Sequence, residues 1–330
     1  MTKVLFLLGI DDSNQVTMRR VGPKGPVYDL QGSVDVSDDL RHPELKKKTV
    51  VLGGSDPFLP NVPRPDVIFN CIADADCSAR ALRLAMQLIQ QHKVPVVNRP
   101  VHVLKNRRDD VAAALAGIPG VAMPATVRLR PASVADILAA LATGPVRYPA
   151  ILRRIGTHGG ESMILLSSAE DAALLERVAC DGTEYFLTSF VDFRDEDGLY
   201  RKTRLVVIGD RVFARHQLAS THWNVHASTR LGLMTERPAL AQAEEAFLKS
   251  FGKTAFPPLA ERLGTMKQRL KLDYYSIDCS LRPNGDLLVF EANPGGNALR
   301  QGHLDKFPYL RRPLQQMRAS LSELLLQQTA

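Results

Sequence analysis

At 330 residues the chain is long enough for two or three domains with cores of their own, and 45% hydrophobic with 23% charged residues excludes fibrous and disordered classes. The formal charge of +7 suits nucleic acid or small anions. Lys46-Lys47-Lys48 is the densest basic run and the scarce aromatics are not interleaved with Lys and Arg, so no nucleic-acid partner is expected.

The first hundred residues alternate apolar runs with helical periodicity. Residues 4–8 (VLFLL) predict a buried strand ending at Gly9, and residues 50–52 a second one ending in Gly53-Gly54. A third follows at 67–70, then a helix over 79–91 and a fourth strand at 94–98. This pattern predicts an open parallel sheet covered on both faces, with ligands beyond the strand carboxyl ends. Asn70, Asp74 and Asp76 become candidates for holding substrate; capping of the following helix is the alternative for the two aspartates. Gly9-Ile10-Asp11 lacks the glycine spacing of a dinucleotide fingerprint, so no nicotinamide cofactor is expected. Cys71, Cys77, Cys180 and Cys279 stand apart without CxxC spacing and predict reduced thiols in a cytoplasmic protein. Residues 4–8 are too short for a signal-peptide core, and no later stretch is long and apolar enough for a membrane span.

Residues 101–116 read as a helix carrying Lys105, Arg107 and Arg108. Strands at 150–153 and 163–166 flank a glycine-rich tip containing Gly156, His158, Gly159 and Gly160. Such a tip has amides free to close over phosphates, and Arg153 on the incoming strand adds charge-assisted contacts. Residues 201–208 and 211–218 flank Gly209-Asp210, a two-residue turn signal whose register opposes Arg204 to Arg215 with Lys202 beside them. Stacked cations repel unless an anion sits among them; a plain exposed cationic face is the alternative. His216, His222 and His226 surround Trp223, and the i, i+4 spacing in HWNVH puts two imidazoles on one helical face. With no third ligand at zinc spacing, a pocket wall is favoured over a metal site, and for any single histidine an ordinary loop with polar ring contacts is favoured over both. Residues 240–263 and 310–328 read as amphipathic helices covering the last sheet.

Residues 274–282 and 286–292 read as strands joined at Asn284-Gly285. The register pairs Pro283 with Asp286 and, counted outward, Asp278 with Glu291, with Asn293 further along the same face. Like charges directly opposed are destabilising, and a divalent cation between them removes the conflict. A solvated acidic face is the alternative. Pro294-Gly295-Gly296-Asn297 then forms a loop able to bring amides close to a ligand.

Asp278, then Glu291-Ala292-Asn293 with Pro-Gly following, resembles the metal-binding signature of the ATP-grasp superfamily, which includes D-alanine:D-alanine ligase, glutathione synthetase and the ribosomal-protein glutamate ligases. The resemblance covers roughly residues 100–300. It implies a mixed α/β and α+β architecture: an N-terminal open parallel domain (1–99), a central lid subdomain (100–187) and a C-terminal antiparallel-sheet domain (188–330). It implies ATP and Mg²⁺ (Mn²⁺ as alternative) as cofactors, with Asp278, Glu291 and Asn293 as metal ligands. One of Lys105, Arg107 and Arg108 would reach the phosphates, with Arg107 the assigned one. Arg153 matches a basic position that is commonly lysine, and His158, Gly159 and Gly160 form the lid loop. Ser189 and Val191 would offer backbone groups to adenine, with Phe190 flanking the base and Asp192 reaching the ribose. Arg204 matches the family's catalytic arginine, with Lys202 and Arg215 alongside. The implied reaction joins a small-molecule carboxylate to an amine through an acyl phosphate, releasing ADP and phosphate. Phosphorylation of a small-molecule hydroxyl, as by inositol-phosphate kinases, is the alternative, and a homodimer is compatible with the chain.

Overall fold

A strand apolar at nearly every position must be covered on both faces. In the computed structural model β1 (Thr2–Gly9) is such a strand, buried from Val4 onward. The structure describes every residue except Lys24, His158, Gly159, Glu161, Pro283, Gln301, Thr329 and Ala330, and also omits the side chains of Ser228 and Thr229. A ribbon of β2 (Thr17–Gly22) and β3 (Gly25–Asp29) interrupts the sequence after β1 and was not foreseen in it. The chain returns to the sheet through β4 (Leu45–Leu52), β5 (Val67–Asn70) and β6 (Val96–Val97), giving a parallel sheet of order β4-β1-β5-β6. The four strands expected from the sequence are the four found.

Helix α1 (Ala79–His92) covers one face of this sheet with Ala81, Leu82, Ala85 and Leu88. Asp12, rather than Asp74 or Asp76, satisfies its first amides, accepting from Ala79 and Arg80 at 3.1 and 3.0 Å. Asn70 is fully buried and donates to Ile72 and Asn98 carbonyls. It ties loops together instead of facing a ligand.

The helix expected over 101–116 is two short helices, α2 (Pro100–Val103) and α3 (Arg108–Leu115). At the break Asn106 donates to the carbonyls of His102 and Leu270, tying the two-helix segment to a distant part of the chain. Next, β7 (Val121–Ala122) joins the edge of the third sheet, so residues 100–122, grouped with the central unit in the sequence reading, pack with the last one.

The central sheet has order β10-β9-β11-β8, from β8 (Thr126–Leu129), β9 (Ala150–Arg154), β10 (Met163–Leu166) and β11 (Tyr185–Ser189). Helix α4 (Val134–Thr143), started by a Ser133/Asp136 capping box, closes a small core of its own with Ile137 and Leu141.

The third sheet has order β13-β12-β14-β15-β7, from β12 (Tyr200–Ile208), β13 (Arg211–Ser220), β14 (Tyr274–Leu281) and β15 (Leu287–Pro294). Between β13 and β14 come α5 (Ala227–Leu231), α6 (Leu233–Glu236), α7 (Pro238–Ser250) and α8 (Ala260–Leu270). The single helix expected over 240–263 therefore breaks; Pro257 and Pro258, which lack amide donors, start a 3₁₀ turn there. Helix α9 (Arg311–Gln327) packs Leu314, Met317 and Leu321 into a core shared with β1 and β12, so the first and third units bury one another. None of the described helices is long and apolar enough to cross a membrane.

Candidate active site

A cavity of about 780 Å³ lies between the central and third sheets and is closed by loops of the first unit. Its lining includes the apolar side chains Ile151, Met163, Phe186, Leu218, Leu288 and Phe290. It also includes the cations Arg108, Arg153, Lys202 and Arg204. Gln31, Ala73, Asp74 and Arg300 line it as well. Apolar side chains beside clustered cations suit a flat ring joined to an anionic tail.

Asp278 and Glu291 are directly paired across β14 and β15, as expected from the sequence, but by a different route. Near the turn Leu281 pairs with Leu287, not Leu288, and a bulge at Phe290 restores the expected register. A bulge inserts one residue and reverses which face the following side chains take. Phe290 and Glu291 therefore both line the cavity, with Asp278 and Asn293.

The two opposed acids are not left to repel. Arg204 donates from Nε to Asp278 Oδ1 at 2.6 Å and from Nη2 to Oδ2 at 2.9 Å, and Lys202 Nζ lies 3.5 Å from Oδ2. Glu291 accepts from Arg108, with Arg153 Nη1 3.9 Å away. Burial pushes the Asp278 carboxyl up, but Arg204 and Lys202 outweigh it and hold the group well below the usual carboxylate range. Burial and Asp278 raise Glu291; Arg108 and Arg153 prevail and lower it. A metal ion is thus not the only way to relieve the opposed charges, because Arg204, Lys202 and Arg108 already do so.

The donors still fit Mg²⁺. Both carboxylates are ionised, the state a metal requires, and Asn293 adds an amide oxygen on the same wall. Ser276, two residues before Asp278 and opposite Asn293, is 1% exposed, lines the cavity, and its Oγ has no hydrogen-bond partner among the described residues. Among those residues no three His, Cys, Asp or Glu form a metal cage, which Mg²⁺, keeping waters and taking phosphate oxygens, does not need.

The basic hairpin departs from expectation. Its turn pairs Ile208 with Arg211, but the register shifts beyond Leu205, so that Arg204 faces His216 and not Arg215. Arg215 is buried outside the cavity lining, donating to the carbonyls of Ala298 and Arg300 at 2.7 and 3.2 Å. Burial, then Arg230 and Arg204, pull its guanidinium down to about 10. His216 takes the expected place on the cavity wall; burial and Arg204 hold it neutral, well below the usual histidine range.

Of the three basic residues, Lys105 and Arg107 lie in the break between α2 and α3, and Arg108, the first residue of α3, reaches Glu291, donating also to Phe290 O at 2.8 Å. Arg107 lines the cavity but pairs with Asp76 at 3.3 Å. Arg128 clamps the central sheet to the first unit, donating to Asp76 at 2.6 Å and to Asp109 at 3.2 Å. Arg153 donates to Thr157 O at 2.5 Å, curling the glycine loop back. His158 and Gly159 lie outside the described residues. Gly160 has φ +77°, and a Cβ there would sit 2.2 Å from His226 Nε2, so only glycine lets the loop approach the opposite wall. His226 lines that wall and Asn224 donates to Gly160 O at 3.1 Å. Residues 221–224 form bends and 225–226 are irregular, so no helix spans them; His222 is exposed and the helical histidine pair does not form.

At the end of β11 the Ser189 amide already donates to Ala125 O, and the Phe190 amide just beyond it to Pro149 O. Val191 N–H has no backbone acceptor among the described residues, and Ser189, Phe190 and Val191 all line the cavity. Asp192 turns away to Arg194 and does not reach it.

No protein-family model matches the chain, and no curated protein matches it. Solved structures do. The RimK domain ATP-grasp protein of Sphaerobacter thermophilus DSM 20745 is 15% identical with a TM-score of 0.54, over 98% of this chain and 99% of that one. VanG D-Ala:D-Ser ligase of Enterococcus faecalis is 11% identical with a TM-score of 0.55, over 98% and 99%. The ATP-grasp ligase PsnB, complexed with a phosphomimetic variant of a minimal precursor, Mg and ADP, is 14% identical with a TM-score of 0.51, over 100% and 99%. Coverage of nearly the whole chain at such identities establishes the fold: this is the ATP-grasp fold, as the hairpin signature implied.

Proposed function

We propose that the chain is an ATP-dependent ligase that joins a carboxylate to an amine, releasing ADP and phosphate. The observation that carries this is the opposed Asp278–Glu291 pair in one cavity, ringed by Arg108, Arg153, Lys202 and Arg204. The apolar side chains of the cavity accept adenine, with the Val191 amide available to donate to the ring. Arg108, Arg153, Lys202 and Arg204 neutralise the phosphate chain. Mg²⁺ held by Asp278, Glu291 and Asn293 would supply charge compensation at the β- and γ-phosphates.

A substrate carboxylate is already a nucleophile at neutral pH, so no activating base is required. Its oxygen attacks the γ-phosphorus, the bond to the β-phosphate oxygen breaks, and ADP leaves. An amine then adds to the acyl phosphate and phosphate departs. Arg204 and Lys202 are fixed beside the developing charge, and positioning with electrostatics does most of the work.

The test is incubation with ATP, Mg²⁺ and pooled carboxylic acids, with and without hydroxylamine. ADP release with trapped hydroxamate is the expected outcome. Phosphorylation of a hydroxyl without hydroxamate would make the protein a kinase of the same fold. Glu291→Ala should abolish ADP release while the circular dichroism spectrum stays unchanged; undiminished ADP release from that variant would end the metal assignment.

A further inference from the structure

Among the described residues β2 and β3 pair with each other and with no other strand. A two-stranded ribbon is marginal by itself in water. Met18 pairs with Tyr28, Arg20 with Val27 and Val21 with Pro26, with a bulge between Met18 and Arg20. Three residues apart, Met18 and Val21 would face opposite ways in a regular strand; the bulge puts both on one face with Tyr28 and Pro26. That face is bare: Met18 is 57%, Tyr28 55% and Val21 72% exposed. The other face carries Thr17, Arg20, Val27 and Asp29, and Thr17 and Asp29 line the cavity. One side of the ribbon is thus an uncovered apolar strip, and the other runs into the candidate active site.

We propose that the ribbon docks an extended, acidic segment of a peptide or protein, which adds as a strand along β2 and presents a side-chain carboxylate to the cavity as the acid to be activated. The β3 edge is interrupted by Pro26, which has no N–H; β2 has no proline. A strand along β2 sends alternate side chains to the two faces. One set lies beside Met18 and Val21 and is apolar. The other lies beside Thr17 and the exposed Arg20, with exposed Arg19 at the bulge, and is acidic. A second copy of the chain is disfavoured as occupant. Symmetric pairing of two ribbons would set Arg19 and Arg20 against their own copies, on a chain already at +7. Docking itself stands apart from the ligase reading; only the fate of the carboxylate rests on it.

Two labelled ten-residue peptides, one alternating Glu and Val and one alternating Lys and Val, are titrated with the full chain by fluorescence anisotropy. The Glu–Val peptide is expected to bind at least tenfold more tightly, and Val21→Asp or Met18→Asp to weaken it at least tenfold. Calorimetric titration with MgADP should be unchanged in both variants. Equal binding of the two peptides, absent binding, or insensitivity to both substitutions overturns the proposal. So does a dimer in sedimentation velocity that Val21→Asp dissociates, which would give the face to a second copy. Failure of the unsubstituted chain to bind MgADP would count against the ligase reading and leave docking standing.

Discussion

Arg204 grips Asp278 with both Nε and Nη2, while Glu291, directly opposite on β15, belongs to Arg108. Each acid of the pair therefore has its own cation, drawn from a different element. Both carboxylates stay ionised without a ligand, and under the proposed function the same cations would take phosphate oxygens.

Removing Arg204 would leave Asp278, with a side chain 3% exposed, held only by Lys202. Breaking such a pair costs about 3 kcal/mol or more at neutral pH. The Asp278 carboxyl is depressed in the folded protein, so its contribution is present above the unfolded carboxylate pKa of about 4 and is lost as pH falls through the lower folded value. Arg204→Ala should lower the melting temperature clearly at pH 7, with the gap to the unsubstituted protein narrowing below about pH 4 as the variant's acid is protonated. Calorimetric scans at several pH values measure this; a gap that widens in acid would refute it.

Glu291→Gln keeps the shape of the side chain and removes its charge. Mn²⁺ binding in the presence of ADP, followed by electron paramagnetic resonance, should weaken at least about tenfold, consistent with loss of one of two ionic ligands. Chelation by EDTA should stop ADP release from the unsubstituted protein and excess Mg²⁺ should restore it. Full ADP release in EDTA would remove the metal from the site.

Ser276 is a buried hydroxyl without a hydrogen-bond partner among the described residues. An unsatisfied buried polar group costs about 1–3 kcal/mol, and its removal returns part of that. Ser276→Ala is expected to raise the melting temperature of the ligand-free protein while slowing ADP release, the trade seen where a group is kept for a ligand. Stabilisation with full activity would make the hydroxyl a bystander.

Arg128 joins the central sheet to Asp76 of the first unit and to Asp109 of α3, and its guanidinium lies 4.9 Å from the centre of the Phe186 ring. Arg128→Ala should free the central sheet locally. Amide exchange in β8 and β11 should speed up by tenfold or more, with β1 and β14 little changed, and the KM for ATP should rise more than kcat falls. Uniformly faster exchange would point to global destabilisation instead.

Much was legible in the sequence because it depended on local pattern. Residues 4–8 and 67–70 had to be buried strands, since an unbroken apolar run has no solvent face to offer. Asn284-Gly285 had to turn, and its neighbourhood placed Asp278 opposite Glu291. That pairing came out right although the turn register was off by one, because the bulge at Phe290 compensates for it. The corresponding shift beyond Leu205 had no such compensation, and it put His216 in the position assigned to Arg215. No local signal announces a bulge; it answers to what the neighbouring strand and loop need. The same holds for Arg108 over Arg107, which follows from where α3 lies against β15.

By itself the chain's order of residues determined the strands of the first sheet, the two-residue turns, the pairing of Asp278 with Glu291 and the type of fold, all set by short-range sterics and apolar periodicity. Only the tertiary structure decided which cations meet which acids, which arginine is withdrawn into the interior, and that an apolar ribbon stands uncovered beside the cavity. Those depend on distances between segments far apart along the chain, where a one-residue slip or a break between two helices redirects a side chain.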